Sequence, residues 1–143
     1  MRAKTEAELA SERERDQSWD VYGMFGFALF CAQLLEDQLR EICDLPEPAI
    51  VRWPEYKNDS KGTMGELVGE AKKIIQDKDI VERLDEALRL RNYLAHHFFS
   101  SHRRTREVPD NRKEMMQECG MAADRFRSLT EALAQSARGG ERP

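Results

Sequence analysis

Residues 21–32 read VYGMFGFALFCA, and this stretch decides the fold class. It holds no charged side chain, and its apolar residues cover nearly every side of a helix. Such a helix has two surfaces to bury, one inside its own bundle and one against something else. Two interpretations stay open: a central core helix, or a core helix whose second face also forms a homodimer interface.

The segments on either side of this stretch also predict helices. Ser18 is a candidate N-cap for a helix from about residue 19 to 43. Residues 1–17 have a helix-favouring composition but almost no apolar face, so we expect a frayed or solvated helix there. Farther along, Thr63 can cap a helix over residues 64–76.

The second half of the chain predicts two more helices. Asp79 can cap a helix that runs to about Ser100, and Asp110 one over residues 111–136. Prolines predict a loop after the first helix, and a polar basic stretch predicts another at 100–110. The inward-facing residues expected from helical spacing are Leu67, Val68, Ala71, Ile74 and Ile75 in the second helix, and Met115, Met116, Cys119, Ala122, Ala123, Phe126, Leu129 and Leu133 in the fourth. The loop prolines are Pro46, Pro48 and Pro54, with Trp53 and Tyr56 expected over the core as a lid.

The sequence therefore predicts an all-α fold, a bundle of four and up to five helices. The expected organisation is a charged N-terminal segment over 1–17, a bundle domain over 18–137 and a disordered tail over 138–143. At 143 residues the chain suits one domain with a core of its own.

Composition narrows the function classes. Charged residues make up 35% and hydrophobic residues 40% of the chain, a balance typical of soluble helical proteins. The net charge of -4 argues against a general electrostatic attraction to nucleic acid and against specific DNA reading. Three scattered cysteines, the lack of a secretory signal and an uncharged run shorter than the roughly 20 residues of a membrane span favour a cytoplasmic protein with no membrane association.

Residues 91–96, RNYLAH, carry the most informative polar pattern. On a helical wheel with Ile80 at zero, Arg91 falls at about 20°, in the middle of the apolar stripe. An unpaired guanidinium in a dry core costs several kcal/mol, so Arg91 must meet a carboxylate, backbone carbonyls or an open cavity. Asn92 and His96 fall at about 120° and 160°, so the amide can orient the imidazole.

Spacing leaves alternatives open at this stretch. Arg89 lies seven residues before His96 and on nearly the same side, and His97 is also available. The plainer interpretation is an ion-paired Arg91 inside the bundle with a His on a half-exposed edge. The functional interpretation is a catalytic or nucleotide-binding pair.

The pattern Arg-Asn, three residues, His resembles the motif of HEPN domains (higher eukaryotes and prokaryotes nucleotide-binding), all-helical bundles that include ribonucleases. Arg91, Asn92 and His96 match its Arg-x4–6-His spelling. Residues 33–36, QLLE, also look like part of the opening helix of such domains. One position differs from the pattern of a toxin subgroup of this family. Where those toxins carry a Tyr that is modified with AMP, this chain has Phe98, which has no hydroxyl, so regulation by AMP transfer is disfavoured.

The resemblance implies a metal-independent endoribonuclease that works as a two-fold homodimer, possessing no cofactor. In such domains Arg and His from two copies converge on one cleft, where an RNA 2′-hydroxyl attacks its adjacent phosphate. His96 would move protons, Arg91 would stabilise the phosphorus oxygens, and Asn92 would hold the imidazole or touch substrate. Further RNA-binding candidates are His97, Arg103, Arg104 and Arg106, with Arg112 also able to guide phosphates.

Other functions stay open. A non-catalytic HEPN-like module would bind nucleotide or RNA, or contact proteins, without cutting. A helical regulator that works by protein contacts is a third hypothesis. A toxin or a defence or stress ribonuclease would have an antitoxin or nucleotidyltransferase partner. A metal site is disfavoured because no pair of His or Cys has ligand spacing, and His96, His97 and His102 are expected at edges and in a loop.

Overall fold

The computed structural model describes residues 2–45, 63–102 and 109–139, and all regular secondary structure in these ranges is helical. One of its five helices is a single turn, so four main helices form the bundle. The predicted all-α class is confirmed. The helices are α1 (Glu6–Ile42), α2 (Met64–Ile74), α3 (Lys78–His96), α4 (Phe98–Ser101) and α5 (Pro109–Gly139).

Helix α1 begins thirteen residues earlier than the cap at Ser18 predicted, since its N-cap is Thr5 and its first residue Glu6. The Thr5 hydroxyl accepts from the Glu8 N–H at 3.1 Å, and the Glu8 carboxylate accepts from the Thr5 N–H at 2.8 Å. This capping box satisfies two terminal donors. Ser18 is wrong as a cap, because it lies inside the helix and its hydroxyl donates to the Glu14 carbonyl at 3.0 Å. The extension is mostly exposed, as expected of a solvated helix.

The starts of α2 and α3 show how short polar side chains fix helix boundaries. Thr63 caps α2 as predicted, accepting from the Glu66 N–H at 3.3 Å. The N-cap of helix α3 lies two residues before the predicted one, at Asp77, whose side chain accepts from the Asp79 N–H at 2.9 Å. Ile74 was expected to face inward, and this is wrong: it is 55% exposed, at the last residue of α2.

Helix α1 is the central element, since it packs against α2, α3 and, most extensively, α5. One face of its apolar stretch is buried, so α1 is a core helix, as both interpretations of this stretch predicted, and the second face is exposed. The predicted stripe of α5 is also confirmed, with all eight positions buried except the half-buried Met116. The largest fully buried side chains are Phe98, Phe126, Leu35, Leu39, Met64, Leu67, Leu84, Leu94, Met115, Leu129, Leu133 and Val68.

The chain turns at His97 between α3 and α4, where one continuous helix to Ser100 was expected. Beyond the turn, Phe98 stacks on Phe25 of α1 at 5.5 Å between ring centroids, and Phe99 lies 4.7 Å from the same ring. Two successive aromatic side chains thus pack on α1. The turn positions the end of α3, where the candidate site lies.

The predictions for the C-terminal tail, the proline loop and membrane association have different outcomes. Helix α5 extends to Gly139, so the first two residues of the expected tail are helical. The proline loop with its aromatic lid lies outside the described residues. None of the described helices combines the length and the apolarity that a membrane crossing requires.

Candidate functional site

The motif residues occupy the last turns of α3, and burial divides them. Leu94 is 2% exposed and faces the core, whereas Asn92 and His96 are exposed. Helix α3 ends at His96, and the His97 N–H closes the last turn by donating to the Tyr93 carbonyl at 2.8 Å. The structure therefore presents the amide and the imidazole at an exposed helix end.

Arg91 lies between the core and this exposed surface. Its Nε is 3.8 Å from Glu36 Oε1 on α1, and its Nη1 donates to Asn92 Oδ1 at 3.5 Å. Its side chain is 35% exposed, less buried than the helical wheel predicts. The expected need for a carboxylate is met by Glu36. Arg89 is exposed, so Arg91 is the arginine of this pair that contacts α1.

Glu36 is a member of this site whose role the sequence did not reveal. Its side chain is 19% exposed. Burial raises the pKa of the Glu36 carboxyl, and the nearby guanidiniums of Arg91 and Arg40 offset this rise only in part. The Glu36 carboxylate therefore holds Arg91 in place at some cost in desolvation.

The expected bond between Asn92 and His96 is not found among the described residues. The Asn92 amide oxygen accepts from Arg91 instead, because the adjacent guanidinium is a charged donor within reach. The rings of His96 and His97 lie 6.4 Å apart, both on the exposed surface. The structure thus pairs the amide with the arginine and leaves the imidazole facing solvent.

A second polar cluster, formed by Tyr93, Glu118 and His102, lies on the inner side of the same segment. The Glu118 carboxylate accepts from the Tyr93 hydroxyl at 3.2 Å and is 2.7 Å from His102 Nε2. His102 lies in the turn that follows α4, but it is 9% exposed and therefore not at an edge: Phe98, 5.1 Å away between ring centroids, helps to cover it. Burial raises the pKa of the Tyr93 phenol, an effect that the Glu118 charge increases, so the phenol stays a donor.

The one sequence signal for this cluster is weak. Glu118 is three residues after Met115 and four before Ala122, which places it beside the buried stripe of α5. A carboxylate at that position predicts a partner but does not identify it.

The predicted RNA-binding arginines have different outcomes. Arg103, Arg104 and Arg106 lie outside the described residues. Arg112 is wrong as a surface phosphate guide, because its side chain is only 6% exposed. It donates to Gln17 Oε1 at 2.9 Å and to Glu14 Oε1 at 3.1 Å, and so ties the start of α5 to α1.

The three cysteines are free thiols of the bundle. Cys31 and Cys119 are buried free thiols and Cys43 is a half-buried one. Burial raises the pKa of all three, that of Cys119 to about 12. The described part of the chain holds no group of three or more His, Cys, Asp or Glu placed to bind a metal ion.

No protein-family model matches this chain, and no curated protein or solved structure is significantly similar to it. These comparisons lend no support to the HEPN resemblance. That resemblance depends on the Arg91, Asn92 and His96 pattern and on the order of the helices around it.

Proposed function

We propose that this protein is a metal-independent endoribonuclease of HEPN type that acts on single-stranded RNA as a homodimer. The observation that carries the proposal is the exposure of His96 and Asn92 at the end of α3, beside a half-exposed Arg91. The inner side chains of this segment pack or form hydrogen bonds within the bundle. His96, by contrast, takes part in no hydrogen bond or ion pair within the described residues, so it is available to a substrate.

The chemistry follows from these three side chains. His96 accepts the proton of an RNA 2′-hydroxyl as its oxygen bonds to the adjacent phosphorus, the general-base role that imidazole side chains most often take in enzymes. The bond from phosphorus to the 5′ oxygen breaks, and that oxygen receives a proton from the second copy's histidine. Arg91 stabilises the charge on the phosphorus oxygens, and Asn92 holds the guanidinium toward the exposed side. The products are a cyclic phosphate end and a 5′-hydroxyl end.

The outer face of α1 supports the dimer. Phe30 is 53% exposed, and Phe27 and Leu34 lie beside it with 43% and 41% exposure. Gly23 and Gly26 lie on this side, and a Cβ at either would meet nothing within 4 Å. Each helical glycine costs about 0.5–1 kcal/mol relative to alanine, a cost that no contact inside the protomer explains. Close approach of a second α1 would account for both the glycines and the exposed rings.

Cleavage of RNA in EDTA tests the catalytic proposal. We expect the purified protein to cut single-stranded RNA, to leave 2′,3′-cyclic phosphate ends and to spare DNA of the same sequence. His96→Ala should abolish cleavage with the dimer intact, while Ser100→Ala, an exposed neighbour, should cut normally. Equal activity of His96→Ala and the native protein would refute the assignment.

The molar mass in solution tests the dimer. Phe30→Glu places a charge on the outer face of α1 and should give a monomer without RNA cleavage. Leu9→Glu is the matched control, since Leu9 is 41% exposed on the same helix far from this face. A native protein that is monomeric at the concentrations where it cuts RNA would exclude the composite site.

One observation favours a non-catalytic binding module as the second candidate. The Arg91–Glu36 ion pair gives Arg91 a structural task, which a module that binds nucleotide or RNA without cutting it would also show. Thermal stabilisation by nucleotides without RNA cleavage would favour this module. The antitoxin or nucleotidyltransferase partner and the role as a toxin stay predictions from the resemblance.

A further inference from the structure

A groove between the N-terminal half of α1 and the start of α5 lies close to the candidate site. Its volume is about 530 Å³, within the range of small-molecule sites. Phe99 forms part of its wall and follows His96 by only three residues. The residues that line the groove are Ser11, Glu14, Arg15, Ser18, Trp19, Val21, Tyr22, Phe99, Arg112 and Met115.

Part of the groove lining is aromatic. Trp19 and Tyr22 meet edge to face with ring centroids 5.8 Å apart, and Tyr22 lies 5.9 Å from Phe99. Trp19 is 65% exposed, an unusual exposure for so large an apolar ring. Exposed aromatic faces of this kind are surfaces on which planar bases stack.

The groove lining also contains cationic groups, one of which is buried. Arg112 is buried and fixes Glu14 and Gln17 by hydrogen bonds of 3.1 and 2.9 Å. Glu14 is therefore already engaged by a guanidinium. Arg15, on the same helix, is exposed and makes no ion pair within the described ranges. Two guanidiniums against one carboxylate leave the lining with a net charge of +1.

We infer that this groove binds a nucleotide, with its base against Trp19 and its phosphate on Arg15. A planar ring joined to an anion matches the aromatic wall and the available cation, which neither a purely apolar nor a purely anionic ligand would use together. The nucleotide is free in solution or is one unit of single-stranded RNA. If the nucleotide is a unit of RNA, the groove would hold the RNA substrate near His96, and this possibility rests on the proposed ribonuclease function.

Fluorescence of Trp19 measures this binding directly. In a Trp53→Phe background Trp19 is the single tryptophan, and stacking of a base should quench it. The probes are adenosine 5′-monophosphate, adenosine, and a 2′-O-methyl oligoadenylate that 2′-hydroxyl chemistry cannot cut. We expect saturable quenching by the monophosphate, by the oligomer or by both, and binding about tenfold weaker for adenosine without its phosphate.

Two surface arginines of α1 provide a matched pair of variants. Arg15→Gln should weaken binding about tenfold, while Arg13→Gln, which removes the same charge from an exposed residue outside the groove, should change it less than about twofold. Quenching by the monophosphate supports a free nucleotide site, and quenching by the oligomer alone supports an RNA subsite. No saturable quenching by either probe, or equal effects of the two variants, would overturn the inference.

Nucleotide binding in the groove and RNA cleavage can fail independently of each other. Saturable quenching in a protein that does not cut RNA would keep the nucleotide site and remove the ribonuclease. RNA cleavage without any quenching would keep the ribonuclease and remove the nucleotide site.

Discussion

The inner and outer faces of residues 91–102 use polar side chains in opposite ways. On the inner face, Tyr93 and His102 share the Glu118 carboxylate, and the Phe98 ring packs beside them. On the outer face, Asn92 and His96 point away from the core and are exposed. One short segment thus holds a histidine used by the fold and a histidine that the fold does not use.

The difference between the two faces suggests that the inner one contributes to stability and the outer one to function. A buried imidazole with a carboxylate partner has a sufficient structural reason to be where it is. The exposed imidazole of His96 makes no hydrogen bond or ion pair within the described residues, and together with the Arg91, Asn92 and His96 pattern this is why His96 rather than His102 is the proposed catalytic group. Substitutions on the two faces should therefore affect different measurements.

The largest stability effect should come from the inner face, at Phe98. Its side chain is 0% exposed and touches the rings of Phe25, Tyr93 and His102. Phe98→Ala should lower the free energy of unfolding by about 3–5 kcal/mol, since it removes a buried ring and leaves a cavity. The neighbouring outer-face variant His97→Ala should stay within about 0.5 kcal/mol of the native protein. Urea titration measures the free energy of unfolding of both variants. Similar losses of stability in the two would contradict the proposed difference between the inner and outer faces.

A smaller effect is expected at the polar cluster. Glu118→Ala removes the acceptor of both Tyr93 and His102 and should cost about 1–3 kcal/mol. The loss should lie toward the lower end, because the Glu118 side chain is 37% exposed and water can replace part of its role. Glu114→Ala, an exposed carboxylate one turn earlier on α5, is the control. Equal urea midpoints for the two variants would mean that the cluster contributes nothing to stability.

The smallest effect is a pH dependence at Glu36, beneath the outer face. Burial raises the pKa of this carboxyl above its ordinary value of 4.5, so the folded protein keeps the proton at a higher pH than the unfolded chain does. The stability that protonation of Glu36 contributes is therefore complete below about 4.5 and is lost as the pH rises through the folded pKa. The free energy of unfolding of Glu36→Gln, measured relative to that of the native protein, should therefore be most favourable at neutral pH and should become less so as the pH falls toward 4.5.

Urea titrations between pH 7 and 4.5 measure this change. Glu41→Gln removes an exposed charge from the same helix, at a residue that is not among the charges shifting the Glu36 pKa, and serves as the control. If both variants show the same slope against the native protein, net charge and not burial of Glu36 is responsible.

Much of the fold was predictable because it follows local patterns. The apolar spacing of α5 predicted its buried face, and Thr63 predicted the start of α2. A solvated helix was expected over residues 1–17, but its continuity with the rest of α1 was missed because residues 6–17 lack an apolar face, although Thr5 and Glu8 have capping-box spacing. The turn at His97 was missed because it accompanies aromatic packing on α1, a tertiary effect that helical periodicity does not contain.

The candidate site was predictable only in part. The position of Arg91 on the helical wheel predicted that it needs a partner, and the structure identifies Glu36, which lies 3.8 Å away on another helix. The inner cluster joins residues 25 and 16 positions apart in sequence, so no local spacing reveals it. The placement of Asn92 beside Arg91 and away from His96 also depended on side-chain geometry.

The most direct test compares His96→Ala with His102→Ala in two measurements, the rate of RNA cleavage in EDTA and the urea midpoint. His96→Ala should lose at least about 100-fold in rate and unfold like the native protein within about 0.5 kcal/mol. His102→Ala should lose about 1–3 kcal/mol of stability and still cut RNA under conditions where it is folded. A His96→Ala protein that cuts RNA at the native rate would contradict the assignment of function to the outer face.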